Sequence, residues 1–531
     1  MWSRFKCSNS YNDRVEYKRA ANLTTYEYKR AKRLFEQKLA KNIKENPKAF
    51  YSYVRSKSRT KDLIGPLKNQ NRELIIDDKE SCQVLNEYFS SVFTIENTAK
   101  LHLIVPKVEH IFTGDQNEML SDINITPEIV FNKLCKLLPN KAPGVDNLSP
   151  RVLKETARSI CKPLAMIFIK SLNEGAVPTD WKRANVTAIY KKGSKDSACN
   201  YMPISLTSQV CKVMESIVRD HMTQHLKKFN LIRDTQHGFV KNKSCLTNLL
   251  KFFDTVGKYV DRGKPVDVLY LDFQKAFDKV PHQRLLLKIK AHGIDGKICK
   301  WIGNWLSDRE QRVVINGSIS DWVPVLSGVP QGSVLGPILF VLYINDLDSS
   351  ITSSILKFAD DTKVFREVSS APEIDALRAD LKKLCDWSDD WQMSFNLDKC
   401  KVVHLGQNNN KEQYSLYGHI LETVIEETDL GVIVQHDLKV SQQCCKVVKT
   451  ANRILGMIYR SFNYKSKDII LQLYKSLVRP HLEYCVQAWR PHLAKDIKLI
   501  EQVQHIDTQM IEGFRGLTYE ERLSRLKLTT L

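Results

Sequence analysis

The chain reads VDVLYLDFQKAFDKVPH over residues 266–282, a pattern that predicts a buried strand ending in a carboxylate. Residues 268–271 form a continuous apolar run, which is typical of a strand covered on both faces. Asp272 follows that run, at a place where an isolated carboxylate would be costly to desolvate. A bound metal ion would offset this cost. The alternative is an Asp that caps the next turn.

A second acidic stretch, ILKFADDTKVF at residues 355–365, predicts a tight hairpin. Asp360 and Asp361 lie between two β-rich segments and therefore fall at the turn. Because turns favour Asp, a purely structural role is one interpretation. Adjacent carboxylates between apolar strands nonetheless repel each other unless a cation joins them. The pair is therefore a second candidate for metal binding, by the oxygen ligands that Mg²⁺ prefers.

A glycine-rich segment, SGVPQGSVLGPILFVLYINDL at residues 327–347, lies between the two acidic stretches. Its glycines allow the backbone to approach another group closely, and an apolar helix is predicted to begin near Ser333. Gln331 is a candidate polar contact to a ligand. A glycine-rich turn before a helix is weak support alone. Its position between the two carboxylate strands gives it weight.

The composition indicates a basic, globular protein of more than one domain. The 531 residues are 43% hydrophobic, and 80 Lys and Arg against 60 Asp and Glu give a net charge of +20. This excess indicates a polyanionic partner, because Lys and Arg displace condensed counterions from phosphates. Solubility or nonspecific adhesion is the alternative.

The sequence contains no recognisable membrane or secretory segment. No apolar run reaches the roughly 18 residues that a membrane-spanning helix needs. The first residues, MWSRFKCSNSYNDR, are too polar and charged for a secretory signal. We therefore expect a cytoplasmic or nuclear protein.

The segments on either side of the acidic stretches are predicted to be largely helical. Residues 16–44 interleave Lys and Arg with Tyr, Leu and Phe, which suits either a basic arm that grips a nucleic-acid backbone or a solvated amphipathic helix. Residues 94–116 lack a clear period and are predicted to be a linker. Pro127 begins a predicted helix, strands and helices alternate to about Gly406, and helices return after Gly431. This order indicates an α+β or α/β core.

Eight sequence blocks follow one another over about residues 121–432. They are KAPGVDNLSPRVLK, IYKKG, NYMPISL, QHGF, LDFQKAFD, SGVPQGSVLGPILF, FADD and FNLDKCKVVHLG. In this order they resemble the reverse transcriptase of LINE-type (non-LTR) retrotransposons, of the jockey-like kind, with weaker likeness in both flanks. Eight ordered blocks over this length are highly specific.

The resemblance implies an α+β protein with the right-hand polymerase fold of fingers, palm and thumb. Residues 1–120 would form a basic, largely helical N-terminal extension and linker. Fingers and palm would occupy 121–432, with a core at about 172–432, and a truncated, helical, thumb-like region would occupy 433–531. The implied activity is RNA-directed DNA synthesis. An RNA template, a DNA primer and deoxynucleoside triphosphates are the implied partners, and no stable protein partner is implied.

The same resemblance assigns the acidic residues to a two-metal site. Asp272 with the carbonyl of Phe273, and Asp360 with Asp361, would hold two Mg²⁺ ions about 3.5–4 Å apart. Mn²⁺ would be able to substitute. One ion would activate the primer 3′-hydroxyl, and the other would stabilise the leaving pyrophosphate.

Further roles follow from the resemblance alone. Phe277 would be the steric gate that excludes a 2′-hydroxyl. Lys399 would lie near the leaving pyrophosphate, in a loop that Asn396 shapes. For the lysines, ordinary surface charge is the alternative. The nucleotide-binding residues that the resemblance implies are Phe273, Phe277, Gln331, Gly332, Lys191 and Lys192.

The chain departs from the family pattern at one position in the fingers. The family's NYRPISL reads NYMPISL here, so Met202 stands where an arginine would clamp the triphosphate. Loss of such a charge-assisted contact would cost about 1.5–3 kcal/mol. Arg183 or Lys192 is an alternative source of this contact.

Two functional classes therefore stay open. The first is an active RNA-directed DNA polymerase. The second is a non-catalytic, nucleic-acid-binding relic, favoured by Met202 and by the lack of a recognisable endonuclease region ahead of the fingers. On this basis we expect a fragment or an aged copy of an element. An RNA-templated RNA polymerase is disfavoured by Phe277.

Overall fold

The computed structural model describes residues 2–8, 10–57, 64–69, 71–108 and 110–531. It is a mixed structure of helices and sheets. The chain divides into two compact units, one of Met1–Asp62 together with Thr428–Leu531, and one of Leu63–Glu427.

The helices, in chain order, are α1 (Trp2–Ser8), α2 (Tyr11–Lys41), α3 (Pro47–Lys57), α4 (Asp78–Ser91), α5 (Leu101–Ile104), α6 (Pro127–Cys135), α7 (Pro150–Glu155), α8 (Ala157–Glu174), α9 (Thr179–Lys182), α10 (Gln209–Lys228), α11 (Cys245–Val260), α12 (Ala276–Lys279), α13 (His282–Ala291), α14 (Gly296–Leu306), α15 (Gly336–Tyr343), α16 (Ala371–Asp390), α17 (Ser441–Ser461), α18 (Lys467–Leu473), α19 (Arg479–Glu483), α20 (Val486–Trp489), α21 (Ala494–Met510) and α22 (Tyr519–Leu526). The strands are β1 (Leu67–Lys68), β2 (Leu74–Ile75), β3 (Arg183–Tyr190), β4 (Tyr201–Leu206), β5 (Val266–Leu271), β6 (Arg309–Ile315), β7 (Ser318–Ile319), β8 (Val323–Val325), β9 (Ser354–Phe358), β10 (Asp361–Glu367), β11 (Lys401–Leu405), β12 (Ser415–Leu416), β13 (His419–Ile420), β14 (Glu422–Thr423), β15 (Glu426–Asp429) and β16 (Val432–Gln435).

The central sheet of the larger unit has the strand order β14-β11-β5-β10-β9. Strand β5 lies in its middle, antiparallel to both β10 and β11. Its residues are buried apart from Tyr270, which is partly exposed. The prediction of a strand covered on both faces is therefore confirmed, and its apolar run explains why it takes the central position.

A second sheet has the order β4-β3-β6-β7, and β8 pairs with β6. Strands β3 and β4 form an antiparallel pair in which Met202 lies opposite Ile189. Strand β3 also runs parallel to β6. The pairing of β3 and β4 places the IYKKG and NYMPISL blocks side by side.

The core of the larger unit is built by helices that pack around the central sheet. Its largest buried side chains include Trp301, Trp305 and Tyr343. Helix α15 is apolar, and the two residues just before it are anchored by the buried carboxylate of Glu215, which accepts hydrogen bonds from the backbone N–H groups of Val334 and Leu335. This anchor fixes the glycine-rich turn that precedes the helix.

The structure differs from the sequence prediction in several details, among them strand β16, which follows Gly431 where helices are predicted to return. Helix α15 begins at Gly336 rather than near Ser333. The Ser333 hydroxyl accepts from the Gly336 N–H and donates to the Pro330 carbonyl, so a side-chain turn precedes the helix. The predicted linker at 94–116 contains α5 and is anchored to α13, because the Glu96 carboxylate accepts from the N–H of Arg284.

The smaller unit is helical and includes segments from both ends of the chain. Glu36 on α2 is fully buried, and its carboxylate accepts from the backbone N–H groups of Asn463 and Tyr464. Phe50 stacks on Phe462, with ring centroids 5.8 Å apart. No helix among the described residues has the length and apolar character needed to span a bilayer.

Candidate active site

One open pocket of the larger unit is lined by most of the residues that are predicted to form the site. Its lining includes two of the three predicted aspartates but neither Asp361 nor Gly332. The predicted residues in the lining are Lys191, Lys192, Met202, Asp272, Phe273, Phe277, Gln331, Asp360, Asn396 and Lys399.

The two aspartates of the pocket are brought together by the pairing of β5 with β10. Leu271 lies opposite Thr362, so Asp272 leaves its strand beside the turn that begins β10. That turn consists of Ala359 and Asp360, and Ala359 has a left-handed φ of 53°. The hairpin predicted from the sequence is therefore confirmed, but only Asp360 lies in its turn, because Asp361 is the first residue of β10 and pairs with Phe358.

Electrostatics around Asp360 show that the two carboxylates interact. Burial raises the pKa of Asp360, and the nearby charge of Asp272 raises it further. The positive charges of Lys191 and Lys399 act in the opposite direction. A carboxylate that is buried beside another carboxylate is stabilised by any cation that enters the pocket.

Asp272 is held from the loop that follows α16. Its carbonyl accepts from the Asn396 N–H at 2.7 Å, and its carboxylate pairs with the Lys399 ammonium at 2.5 Å. Phe273 and Phe395 face each other in an isolated bridge whose hydrogen bonds use the Asp272 carbonyl and the Gln274 N–H. The Phe273 carbonyl is therefore not engaged in that bridge.

These donors fit a divalent cation such as Mg²⁺. The carboxylates of Asp272 and Asp360 and the carbonyl of Phe273 are hard oxygen donors on one pocket. Asp361, the first residue of β10, is exposed and lies outside the lining. Within the described part of the chain, no group of three or more His, Cys, Asp or Glu side chains is arranged as a metal site. A site with all three aspartates stays a prediction.

Phe277 occupies one wall of the pocket. Its ring stacks on Phe340, with centroids 4.7 Å apart and planes 17° apart. It also meets the edge of Phe239 at 6.4 Å. These contacts fix the orientation of the ring.

Gln331 is held by a carboxylate that the sequence analysis did not single out. Its side-chain amide donates to Asp278 at 3.2 Å, and burial raises the pKa of Asp278 to about 6. Asp278 directly follows Phe277, but no sequence pattern separated it from an ordinary surface acid. Gly332 lies against β4, where a Cβ would be 2.6 Å from the Ser205 carbonyl oxygen.

The basic side of the pocket is formed by exposed lysines. Lys191 and Lys192 line it next to Met202. Arg183 does not, because it pairs with Glu310 at 2.8 Å and lies over the Trp322 ring at 5.2 Å. Arg183 and Lys192 are the two alternatives to the family arginine, and of these only Lys192 lines the pocket.

Known proteins resemble this chain over half of its length or more. The family model described as "Reverse transcriptase (RNA-dependent DNA polymerase)" matches residues 189–458. The RNA-directed DNA polymerase from mobile element jockey of Drosophila melanogaster is 26% identical over 389 residues, 70% of this chain and 42% of that protein. The probable RNA-directed DNA polymerase from transposon X-element of the same species is 26% identical over 407 residues, 74% of this chain and 44% of that protein.

The chain spans less than half the length of these two relatives. A solved structure of apo telomerase from Candida Tropicalis, truncated from its C-terminal domain, matches 53% of this chain and 59% of that one at 13% identity. Its TM-score of 0.36 is too low to bear on the fold. The family model and the curated relatives confirm the resemblance drawn from the eight sequence blocks. The chain belongs to the reverse transcriptase (RNA-dependent DNA polymerase) family.

Proposed function

We propose that the chain is the RNA-directed DNA polymerase of a jockey-like, non-LTR retrotransposon. It extends a DNA primer on an RNA template from deoxynucleoside triphosphates. The observation that carries this proposal is the pocket shared by Asp272, Asp360 and Phe277, with Lys191 and Lys192 at its basic side. The net charge of +20 suits a protein that holds polyanionic template and primer in the cytoplasm or nucleus.

The chain would adopt the right-hand polymerase fold, with fingers, palm and thumb. The sheet containing β3, β4 and β6 would belong to the fingers, and the sheet around β5 to the palm. Residues 121–432 would hold both, with a core at about 172–432. The helices of 433–531 would form the thumb-like region, and 1–120 the basic extension and linker.

Two Mg²⁺ ions would be held by the carboxylates of Asp272 and Asp360 and by the Phe273 carbonyl. Asp361 would be a further ligand. Bound ions would lower the pKa of the primer 3′-hydroxyl and offset the charge of the pyrophosphate. The 3′-hydroxyl gives up its proton to solvent and its oxygen forms a bond to the α-phosphorus, while the bond from that phosphorus to the bridging oxygen breaks and pyrophosphate leaves.

The remaining pocket residues bind and orient the nucleotide. Lys191 and Lys192 contact the triphosphate, and Lys399 lies close enough to Asp272 to stabilise charge on the leaving pyrophosphate. Phe277 limits the sugar to its deoxy form. Gln331, oriented by Asp278, contacts the nucleotide or the template base.

The test is extension of oligo(dT) on poly(rA) with dTTP and either Mg²⁺ or Mn²⁺. We expect products that require template, primer, dTTP and divalent ion together. Binding of the hybrid without extension would contradict the proposal. That outcome would favour the second candidate, a non-catalytic nucleic-acid-binding relic. Met202, in the place of the family arginine, is the residue that favours this candidate.

A further inference from the structure

A short segment at residues 235–239 runs beside β9 and reaches the turn that carries Asp360. The Lys357 N–H donates to the Thr235 carbonyl at 2.9 Å, and the His237 N–H donates to the Lys357 carbonyl at 2.8 Å. Gln236 therefore pairs with Lys357 as a parallel bridge at the edge of the central sheet. The QHGF block occupies this edge.

The side chain of Gln236 is fully buried and bonded to the turn itself. Its Oε1 accepts from the Ala359 N–H at 3.0 Å and from the Gly238 N–H at 2.7 Å. Both neighbours are donors, so the oxygen and not the amide nitrogen must face them. The Nε2 atom has no hydrogen-bond partner among the described residues. The side chain thus makes its polar contacts through one atom, and that atom bridges the segment and the turn.

The backbone packing is equally close. A Cβ at Gly238 would lie 2.3 Å from the Ala359 nitrogen, so the segment and the turn are in direct contact. Ala359 has a φ of 53°, a conformation that a residue with a Cβ adopts at a cost. An external contact that stabilises the turn would offset this cost.

We infer that Gln236 is a positioning residue, whose side-chain oxygen fixes the Ala359–Asp360 turn and so sets the Asp360 carboxylate for metal binding. This inference rests on the proposed function of Asp360 as a metal ligand. Gln236 itself does not line the pocket. It acts through the backbone of the neighbouring residue, much as outer-shell partners orient ligands elsewhere.

The test measures the affinity of the full chain for Mn²⁺ in wild type and variants. The electron paramagnetic resonance signal of free Mn²⁺ reports how much of the ion stays unbound. Gln236→Met keeps the approximate side-chain shape but removes the acceptor. We expect Mn²⁺ affinity to fall about tenfold or more, the range for loss of an outer-shell partner. Affinity for an RNA–DNA hybrid, measured by fluorescence anisotropy, should stay unchanged.

The matched control is Asn248→Leu. Asn248 is also a buried amide, and it donates to the Lys357 carbonyl on the same strand but not to the turn. We expect this variant to lose thermal stability without losing Mn²⁺ affinity. Gly238→Ala is a second, independent variant that should displace the turn without removing a hydrogen bond, and it should also weaken Mn²⁺ binding.

The outcomes separate this inference from the proposed function. Wild-type chain that shows no Mn²⁺ binding sensitive to Asp360→Asn would overturn the proposed metal site itself. Wild-type binding that is lost in Asp360→Asn but kept in Gln236→Met would overturn the positioning role alone. If Gln236→Met does not fold, undiminished Mn²⁺ binding by Gly238→Ala would overturn it equally.

Discussion

Phe277 lies flat against Phe340 and lines the pocket that contains Asp272 and Asp360. A bulky ring in this position would exclude a 2′-hydroxyl by contact and not by hydrogen bonding. Phe277→Val should therefore raise the ratio of ribonucleotide to deoxynucleotide incorporation by about tenfold or more. Single-nucleotide extension with rUTP and dTTP gives both kcat/KM values. An unchanged ratio would mean that the ring serves only as packing.

Met202 is half-buried on β4 and faces the same pocket as Lys191 and Lys192. If an arginine at this position grips the triphosphate, Met202→Arg should lower the KM for dTTP or raise kcat. The gain should be roughly tenfold or more, from about 1.5–3 kcal/mol for a charged hydrogen bond.

Lys192→Met serves as the comparison for that variant, because Lys192 is the cation that could already supply the contact. Suppose that Lys192→Met has a much lower kcat/KM for dTTP, while wild type and Met202→Arg have equal values. The arginine role would then not transfer to position 202. Inactivity of wild type and Met202→Arg alike would indicate a relic disabled at more than one site.

Asp278 gives the pocket a predictable pH dependence of stability. Burial raises the pKa of Asp278 from 3.8 to about 6, so the folded chain binds this proton more tightly than the unfolded chain does. The ionised carboxylate therefore costs folding free energy above pH 6, and the cost fades as pH falls toward 4. Asp278→Asn should stabilise the chain at pH 8 by up to about 3 kcal/mol.

The same substitution should stabilise the chain less at pH 5, by about 1–2 kcal/mol less than at pH 8. Urea unfolding at the two pH values measures the difference. Equal stabilisation at both would show that Asp278 keeps an ordinary pKa in the folded chain.

The turn before α15 depends on glycine. Gly332 has a φ of 111°, and a Cβ there would meet the Ser205 carbonyl oxygen at 2.6 Å. Gly332→Ala should therefore destabilise the larger unit by about 1–3 kcal/mol. It should also raise the KM for dTTP, because Gln331 precedes it in the turn.

Gly257 is the matched control for that substitution. It lies inside helix α11, and a Cβ added there would meet no atom from the rest of the described chain within 4 Å. Gly257→Ala should therefore stabilise the helix by about 0.5–1 kcal/mol. Thermal unfolding of both variants checks the contrast. Similar effects of the two substitutions would contradict the role given to the turn.

Local elements of the site were predictable because their signals are local. The apolar run of β5 and the apolar segments that flank Asp360 each fix a strand without reference to the rest of the chain. The contacts of Gln236 with Ala359 and of Gln331 with Asp278 span many residues, and no periodicity encodes them. Such contacts therefore had to come from the structure.

The arrangement of whole segments was likewise beyond the sequence pattern. Residues 16–44 are predicted to be helical, and α2 confirms this as far as Lys41. Helix α2 also belongs to one helical unit with the C-terminal segment. This follows from the contacts of Glu36 with Asn463 and Tyr464, which lie more than 400 positions away in the sequence. Whether the basic face of α2 also grips nucleic acid stays a prediction.

The whole molecule should separate binding from catalysis. Its excess of 20 positive charges is spread over the chain and should hold template and primer largely through phosphates. The chemistry should depend on two carboxylates in one pocket. A substitution that removes one of these charges should therefore stop synthesis while leaving hybrid affinity nearly unchanged.

The measurement that tests this most directly compares wild type with Asp360→Asn. Both are assayed for poly(rA)/oligo(dT) extension in Mg²⁺ or Mn²⁺ and for hybrid affinity by anisotropy. Because Asn is nearly isosteric but cannot supply the charge that holds the metal, we predict extension by wild type alone, with hybrid affinities equal within about twofold. Comparable extension by Asp360→Asn would contradict the account.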